Sequence, residues 1–403
     1  MTTRVSPAPV SEREVEDAVA DLVERFPPDT TERTKFLAAQ YDAGLAWVNF
    51  DPGFGGLGAD PALQLVIERV LDAAGAPPAA QLNPLGVMMA GPTVHAHGTD
   101  EQRRRLLRPL FSSTEIWCQL FSEPGAGSDL ASLSTSAVRD GDEWVVNGQK
   151  VWTSLAHHAQ RGMLVARSDP SQPKHRGLIY FALDMQLPGV EVRPLRQMTG
   201  EAEFNEVYLT DVRVPDRDRL GEPGDGWRVA LTTLMNERVS IGGRPVQRSG
   251  SSITQALKLY QQAATAGTAR VVDRDRLMRL WTRAEVLRLT NIRATDARER
   301  GTPGPEGSIG KLATTELNKD VYELCVTLLG PEGALYDDYT MIRPDIGRIF
   351  TQRDIRKLFL RSRANSIEGG SSEIMRNILG ERVLGLPAEP RVDKDTPWSE
   401  LAR

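Results

Sequence analysis

The sequence predicts an α+β multidomain chain: an N-terminal α-helical domain, a middle antiparallel β-domain and a C-terminal helical bundle. Three observations carry this. Apolar residues recur at helical spacing through the first ~115 residues, give way to short aliphatic and aromatic runs from Trp117, and resume long helical spacing after Gly226. The short runs are separated by turn signals and by no segment of crossover length, which argues against βαβ units. The 403 residues exceed the usual size of one domain, so two or three packed units are expected. The divisions fall at 1–115, 116–225 and 226–403.

In the first part, Ser11 with Glu14 reads as a capping box ahead of Val15, Ala18, Val19, Leu22, Val23 and Phe26, and Pro27-Pro28 stops that helix. A second helix is predicted over Glu32 to Trp47, with Phe36, Leu37 and Tyr41 inward. Asp51 to Gly58 is a glycine-rich loop whose spacing is not the dinucleotide fingerprint. Helices resume over Pro61 to Asp72 and Asp100 to Leu110. In the middle part, strands are predicted at Trp144–Val146, Met163–Ala166, Leu178–Leu183, Val190–Val192 and Phe204–Leu209, with turns at Arg139–Asp142 and Asp169-Pro170. Asn147-Gly148 reads as a tight turn, so that Lys150 opens the next strand. The third part carries helices over Trp227–Ile241, Ser251–Ala264, Asp275–Ala297, Gly310–Leu329, Gln352–Asn365 and Glu373–Leu384. The polar tail from Ala388 either wraps a surface or is loose.

Charge and composition exclude several functions. With 49 Lys+Arg against 54 Asp+Glu, the net charge of −5 offers no general attraction to nucleic acid or an anionic membrane. Two cysteines rule out a disulfide scaffold and fit a reducing compartment. Met1 to Val10 lacks the apolar stretch of a secretory signal, and the run Leu85 to Val94 is far short of the ~20 residues that span a bilayer. A cytoplasmic protein is expected. The five histidines include no HExxH, the cysteines no CxxC, and the chain no GxSxG, so neither a metal site nor a serine hydrolase is indicated.

Four clusters could carry chemistry. In Phe121-Ser-Glu-Pro-Gly-Ala-Gly-Ser-Asp129, Pro124, Gly125 and Gly127 make tight turns while Ser122 and Ser128 offer hydroxyls. This is either a cradle for a phosphate or polar cofactor edge, or a decorated turn at a domain boundary. Glu123 and Asp129 would have to point away from any phosphate. In Asn147-Gly-Gln-Lys-Val-Trp-Thr-Ser154, Trp152 followed by two hydroxyls could cover a planar ring, or be a core tryptophan with strand-forming neighbours. Glu237, in Asn236-Glu-Arg238, sits on an otherwise apolar helix. There it is either a desolvated general base or half of a solvated ion pair. Ile367-Glu-Gly-Gly-Ser-Ser-Glu-Ile374 reads as a glycine loop before a capped helix. The upstream basic residues Arg353, Arg356, Lys357, Arg361 and Arg363 either meet a phosphorylated ligand or solvate a helix face, with solvation favoured.

Taken in order, Trp117 to Leu130, Asn147 to Ser154, Val212 to Pro215, Gly224 to Trp227, Asn236 to Arg238, Gly370 to Ile374 and Leu384 to Pro387 resemble the acyl-CoA dehydrogenase family of flavoproteins. The resemblance spans roughly residues 12 to 390. It implies a C-terminal four-helix bundle, FAD at a subunit interface and oxidation of an acyl-CoA to its trans-2-enoyl-CoA. Phe121 and Ser122 match positions by the flavin pyrimidine, and Ser128, with Gly127 in the same turn, matches one contacting phosphates or the CoA portion. Trp152 matches the tryptophan against the isoalloxazine, and Thr153 and Ser154 the strand beside its N5 and O4. Ser371 and Glu373 fall in the loop near the adenosine half, and Arg238 matches the arginine of the active-site helix.

The base position of many members, two residues before the late serine, is Gly369 here. Others place their glutamate immediately before the arginine, which makes Glu237 the implied base. The chain also departs from the family in lacking an Arg-x-x-Phe-Gly element, and in having Thr327-Leu-Leu-Gly-Pro331 where Gln-x-x-Gly-Gly is common. Some relatives form α2β2 assemblies acting on steroid side-chain CoA thioesters. The implied partners are therefore an acyl-CoA, an electron-transfer flavoprotein, and either like chains (dimer or tetramer) or a related subunit in a heterotetramer. A same-fold flavin oxidase and a non-catalytic partner subunit stand as alternatives. The acidic chain argues against a DNA-binding relative.

Overall fold

A computed structural model of the protein describes residues 10–242, 251–299, 304–336, 338–346, 354–388, 390 and 393–401. The side chains at 238–242, 298–299 and 306 lie outside that description. Ser11 caps α1 (Glu12–Arg25): its hydroxyl accepts from the Glu14 N–H while the Glu14 carboxylate accepts from the Ser11 N–H. Val15, Val19 and Leu22 of α1 are buried. The second helix, α2 (Arg33–Asp42), buries Phe36, Leu37 and Tyr41 but stops short of Trp47, because Gly44 turns left-handed (φ +75°) and ends it. Then come α3 (Leu63–Ala73), a π-helical turn at Gly86–Ala90, α4 (Gly91–His97) and α5 (Asp100–Phe111). The sequence reading missed the π turn and α4, since two glycines and a proline hide the helical period there.

The middle domain is one curled seven-stranded sheet. Its strands are β1 (Trp117–Leu120), β2 (Ser136–Asp140), β3 (Glu143–Ser154), β4 (Arg161–Arg167), β5 (Leu178–Asp184), β6 (Val190–Pro194) and β7 (Phe204–Pro215). The order is β1-β4-β2-β3-β7-β6, with β5 also on β4. Most pairings are antiparallel, while β1 and β2 meet β4 in parallel. On β4 and β5, Met163, Val165, Leu178, Tyr180 and Ala182 enter the N-terminal core, and the alternating Leu164, Ala166, Ile179, Phe181 and Leu183 enter the sheet's own core. Burial on both faces explains why these two strands read as unbroken apolar runs.

Asn147-Gly148 is not a turn. β3 runs through it with a bulge, and a Cβ at Gly148 would lie 2.3 Å from the Thr135 hydroxyl. Glycine is there for close approach of a neighbouring chain, not to reverse direction. Asn147 instead exchanges hydrogen bonds with Asp211 on β7.

The remaining helices are α6 (Gly226–Gly242), α7 (Ser252–Thr265), α8 (Val271–Glu299), α9 (Glu306–Leu328), α10 (Ile355–Asn365) and α11 (Ser372–Ile378), the last running on into a π turn at Leu379–Val383. Gln352 and Arg353 lie outside the described residues. Ile253, Ala256, Leu277, Leu280, Leu287, Leu317, Val321 and Leu324 form the bundle core. By contrast, α6 sends Val229 and Ala230 into the N-terminal core, and packs on α4, the Gly86–Ala90 turn, β5 and α9. It touches all three parts. The tail wraps a surface: the Trp398 and Ser399 amides donate to the Gln172 and Pro170 carbonyls. Among the described residues, no helix is long and apolar enough to cross a membrane.

Candidate functional site

The Phe121–Asp129 turn is fixed from below by a buried ion pair. Lys150 Nζ lies 2.8 Å from Glu123 Oε1 and donates to the Phe121 carbonyl at 3.1 Å; Lys150 is fully buried and Glu123 nearly so. Glu123 also accepts from the Ser134 and Thr135 N–H groups. Burial pushes its carboxyl up, but Lys150 and these hydrogen bonds outweigh burial and hold it below the ordinary carboxylate value. Asp129 turns to Lys174 (2.8 Å) and the Ser132 hydroxyl. Both carboxylates therefore serve internal partners. Ser128, Gly125 and Gly127 stay exposed, and a Cβ on either glycine would meet nothing within 4 Å.

Trp152 is not a core residue. It is 58% exposed, sits at a second bulge of β3 and has φ +59°. A bulky residue in the left-handed region costs about 1–2 kcal/mol. Its indole meets only one aromatic edge among the described residues, Phe204 at 5.8 Å and 85°. Next to it, Thr153 is fully buried and its hydroxyl has no hydrogen-bond partner. An exposed planar indole beside an orphaned hydroxyl fits a flat, hydrogen-bonding ring such as a flavin.

From Phe204 a continuous set of contacts runs into the bundle. The Arg361 guanidinium lies 5.4 Å from the Phe204 ring centroid and bonds Glu203 through Nε (3.1 Å). It also grips Glu368 with two parallel bonds of 3.0 and 2.8 Å. Burial works against the Arg361 charge, yet Glu368 and Glu203 hold its pKa above the ordinary value. Asn365 donates to Glu368 as well. Glu368 is thus committed, and Gly369 (φ +62°) and Gly370 (φ +90°) carry no acid. Three residues of the basic stretch turn to protein partners rather than simply solvating a helix face. Arg361 is an internal clamp, Arg356 bonds Asp354 and the Leu335 carbonyl, and Arg363 stacks on Phe359 and bonds the Lys319 carbonyl.

Glu237 is half-buried on α6, one turn beyond Thr233 and on the same face. Thr233 is fully buried, with the hydroxyls of Thr93 at 2.9 Å and Tyr180 at 3.0 Å. Lys311 of α9, also fully buried, feels the charge of Glu237 as well as of Glu368. The side chain of Arg238 lies outside the described residues. Ser371 caps α11 through the Ile374 N–H, and Glu373 projects into solvent in the first turn, 3.6 Å from Arg376. The structure so links Trp152, Phe204, Arg361, Glu368 and, through Asn365, Lys311. Phe121 and Ser122 are tied to the Trp152 strand, Lys150 donating to the Phe121 carbonyl and the Val151 N–H to the Ser122 carbonyl.

Sequence reasoning missed Lys311. The available signal was its i,i+4 spacing with Thr315 and Lys319, which puts the three polar residues in one row along the helix.

Domain models and known proteins match this chain over most of its length. The acyl-CoA dehydrogenase N-terminal, middle and C-terminal domain models match residues 9–114, 118–212 and 224–384. The acyl-CoA dehydrogenase IpdE1 of Mycobacterium tuberculosis is 39% identical over 350 residues, 87% of this chain and 86% of that protein. The crystal structure of the ChsE4-ChsE5 complex from Mycobacterium tuberculosis superposes with a TM-score of 0.67 at 30% identity, covering 96% of this chain and 100% of that one. The Tcur3481-Tcur3483 steroid ACAD superposes with a TM-score of 0.70 at 27% identity, covering 96% and 100%. With all three domains matched in order, the chain belongs to the acyl-CoA dehydrogenase family, the FAD-dependent oxidoreductases.

Proposed function

We propose that the protein catalyses α,β-dehydrogenation of an acyl-CoA thioester to the trans-2-enoyl-CoA, with Glu237 as base. One observation supports this most directly: of the acidic groups near the late loop, Glu368 is tied to Arg361 while Glu237 is half-buried on the helix shared by all three domains. FAD, when bound, supplies the acceptor for the β-hydrogen and its bonding pair. Glu237 takes the α-proton, which the thioester carbonyl acidifies. Trp152, Thr153, Ser154, Phe121 and Ser122 would hold the ring, Gly127 and Ser128 the phosphates or CoA, and Ser371 and Glu373 the adenosine end; Arg238 would meet substrate. The turn amides present neutral donors there, because Glu123 and Asp129 face Lys150 and Lys174.

Two departures favour a second reading of assembly. Gly369 and the Thr327–Pro331 stretch, which here ends α9 and opens a 3-10 turn, differ from the common family pattern. They support a chain that pairs with a related subunit on a steroid side-chain CoA thioester, rather than a homo-oligomer on a simple acyl-CoA. An electron-transfer flavoprotein is the proposed acceptor, and the cytoplasm the proposed site.

The test is anaerobic mixing of the FAD-loaded protein, alone and with a candidate partner chain, against straight-chain and steroid acyl-CoAs, following flavin bleaching near ~450 nm. Glu237→Gln should keep flavin and slow bleaching by at least ~10²-fold. If Glu237→Gln reduces as fast as the parent while Glu368→Gln is inert, the base is misassigned.

A further inference from the structure

Just past the end of β3, the half-buried His157 sits in a turn closed by the His158 N–H donating to the Leu155 carbonyl. Across the ladder stands Asn205 of β7, fully buried and paired with Thr153. The Asn205 side-chain nitrogen lies 3.1 Å from the Thr153 carbonyl, 3.1 Å from His157 Nδ1 and 3.4 Å from the Glu203 carbonyl. It has two hydrogens to give, and the two shorter contacts take them. The surroundings fix the orientation of this amide. Reversed, its oxygen would lie against two carbonyl oxygens, and the Arg343 guanidinium, 3.5 Å from Oδ1, would face an N–H group. Asn205 therefore donates to His157, and Nδ1 is the bare, accepting nitrogen of the ring.

Burial, the His158 ring 4.1 Å away and Arg343 push the His157 pKa down to about 4, against the Pro344 carbonyl and Asn205, which favour a proton. The imidazole is thus neutral at neutral pH, as an acceptor must be. What the Asn205 amide holds is a peptide of the strand assigned to the flavin edge. The Leu155 N–H donates to the Glu203 carbonyl, so Thr153 and Leu155 face β7 and the Ser154 N–H between them points away from it. The Thr153 carbonyl and the Ser154 N–H belong to one planar group. Pinning the carbonyl to Asn205 fixes where that N–H aims.

We propose that His157 is a positioning residue for the flavin: its bare Nδ1 locks the Asn205 amide onto the Thr153 carbonyl, and so aims the Ser154 N–H at the ring edge. This rests on the reading of Trp152 to Ser154 as the strand beside the ring. An acceptor role and a packing role for His157 rank two variants in opposite order. His157→Asn keeps an acceptor near the Nδ1 position and loses the ring, whereas His157→Phe keeps a ring and loses the acceptor.

The experiment titrates FAD into the apo forms of the parent, His157→Asn, His157→Phe and Thr153→Val, alone and with the candidate partner chain. Flavin fluorescence gives the affinity, and the visible bands of the bound flavin report the hydrogen bonds at its edge. His157→Phe should weaken FAD binding at least ~10-fold and shift the bands, while His157→Asn stays within ~3-fold of the parent with its bands in place. Equal losses in the two variants, or tighter binding by His157→Phe than by His157→Asn, overturn the proposal. Nitrogen NMR of the apo parent with labelled histidine should show His157 protonated at Nε2 and bare at Nδ1. A protonated Nδ1 overturns the proposal, and this measurement decides it if His157→Phe does not fold. If Thr153→Val and Trp152→Gly both bind FAD as the parent does, with unshifted bands, the strand does not lie beside the ring, and the inference falls with that reading.

Discussion

Trp152 shows what a single residue costs. Its left-handed backbone and exposed indole both oppose folding, yet β3 holds it there between Val151, bonded to Ser122, and the buried Thr153. Glycine would take the same φ without strain. Trp152→Gly is therefore expected to leave the apo-protein as stable as the parent, or up to about 1 kcal/mol more stable, while weakening FAD binding at least ~10-fold. Urea unfolding and flavin-fluorescence titration measure the two effects separately; a large loss of apo stability would mean the indole is structural. This tryptophan was legible in the sequence as a candidate, but not its exposure. Burial depends on a bulge whose register is set by β7, and no local pattern around Val151 to Thr153 encodes it.

At the scale of an element, α6 decides where Glu237 stands. Thr233, four residues earlier, joins Thr93 of α4 and Tyr180 of β5 in a buried chain of hydroxyls, with Thr93 donating on to the Met89 carbonyl. Removing the central hydroxyl leaves Tyr180 without that bond in an apolar core, a cost of about 1–3 kcal/mol. Thr233→Val should lower stability by that amount and slow flavin bleaching several-fold without changing FAD affinity. Denaturant midpoints, single-turnover rates and FAD titration report these three quantities; an unchanged bleaching rate would mean that α6 is located by apolar packing alone. The helix and its glutamate were readable from spacing. The hydroxyl chain was not, because Thr93 and Thr233 are 140 residues apart and polar residues read from sequence default to the surface.

Across the whole molecule, the tail packs against the segment that follows the Phe121–Asp129 turn. The Arg167 guanidinium lies 4.3 Å from the Trp398 ring and bonds the Ala131 and Leu133 carbonyls, while the Trp398 indole N–H donates to the Ser132 carbonyl. Lys174 sits between Asp129 and Asp393. The last described residues thus brace the segment immediately after the glycine turn. Trp398→Ala should destabilise the protein by about 1–3 kcal/mol and weaken FAD binding several-fold. Thermal unfolding with and without FAD reads both, and loss of stability with unchanged FAD affinity would confine the tail to a packing role.

The sequence alone determined what is periodic or local. It marked the helix capped by Ser11, the apolar strands β4 and β5, the long bundle helices and the order of motifs that names the family, because each depends on neighbours a few residues away. It misread Asn147-Gly148 as a turn, ended α2 late and left Arg361 in solvent. Only the tertiary structure decided those, along with the committed Glu368, the buried Lys311 and the orphaned Thr153 hydroxyl. Each is a matter of what comes within about 3 Å from a distant part of the chain, and desolvation and pairing at that range are set by packing rather than by sequence spacing.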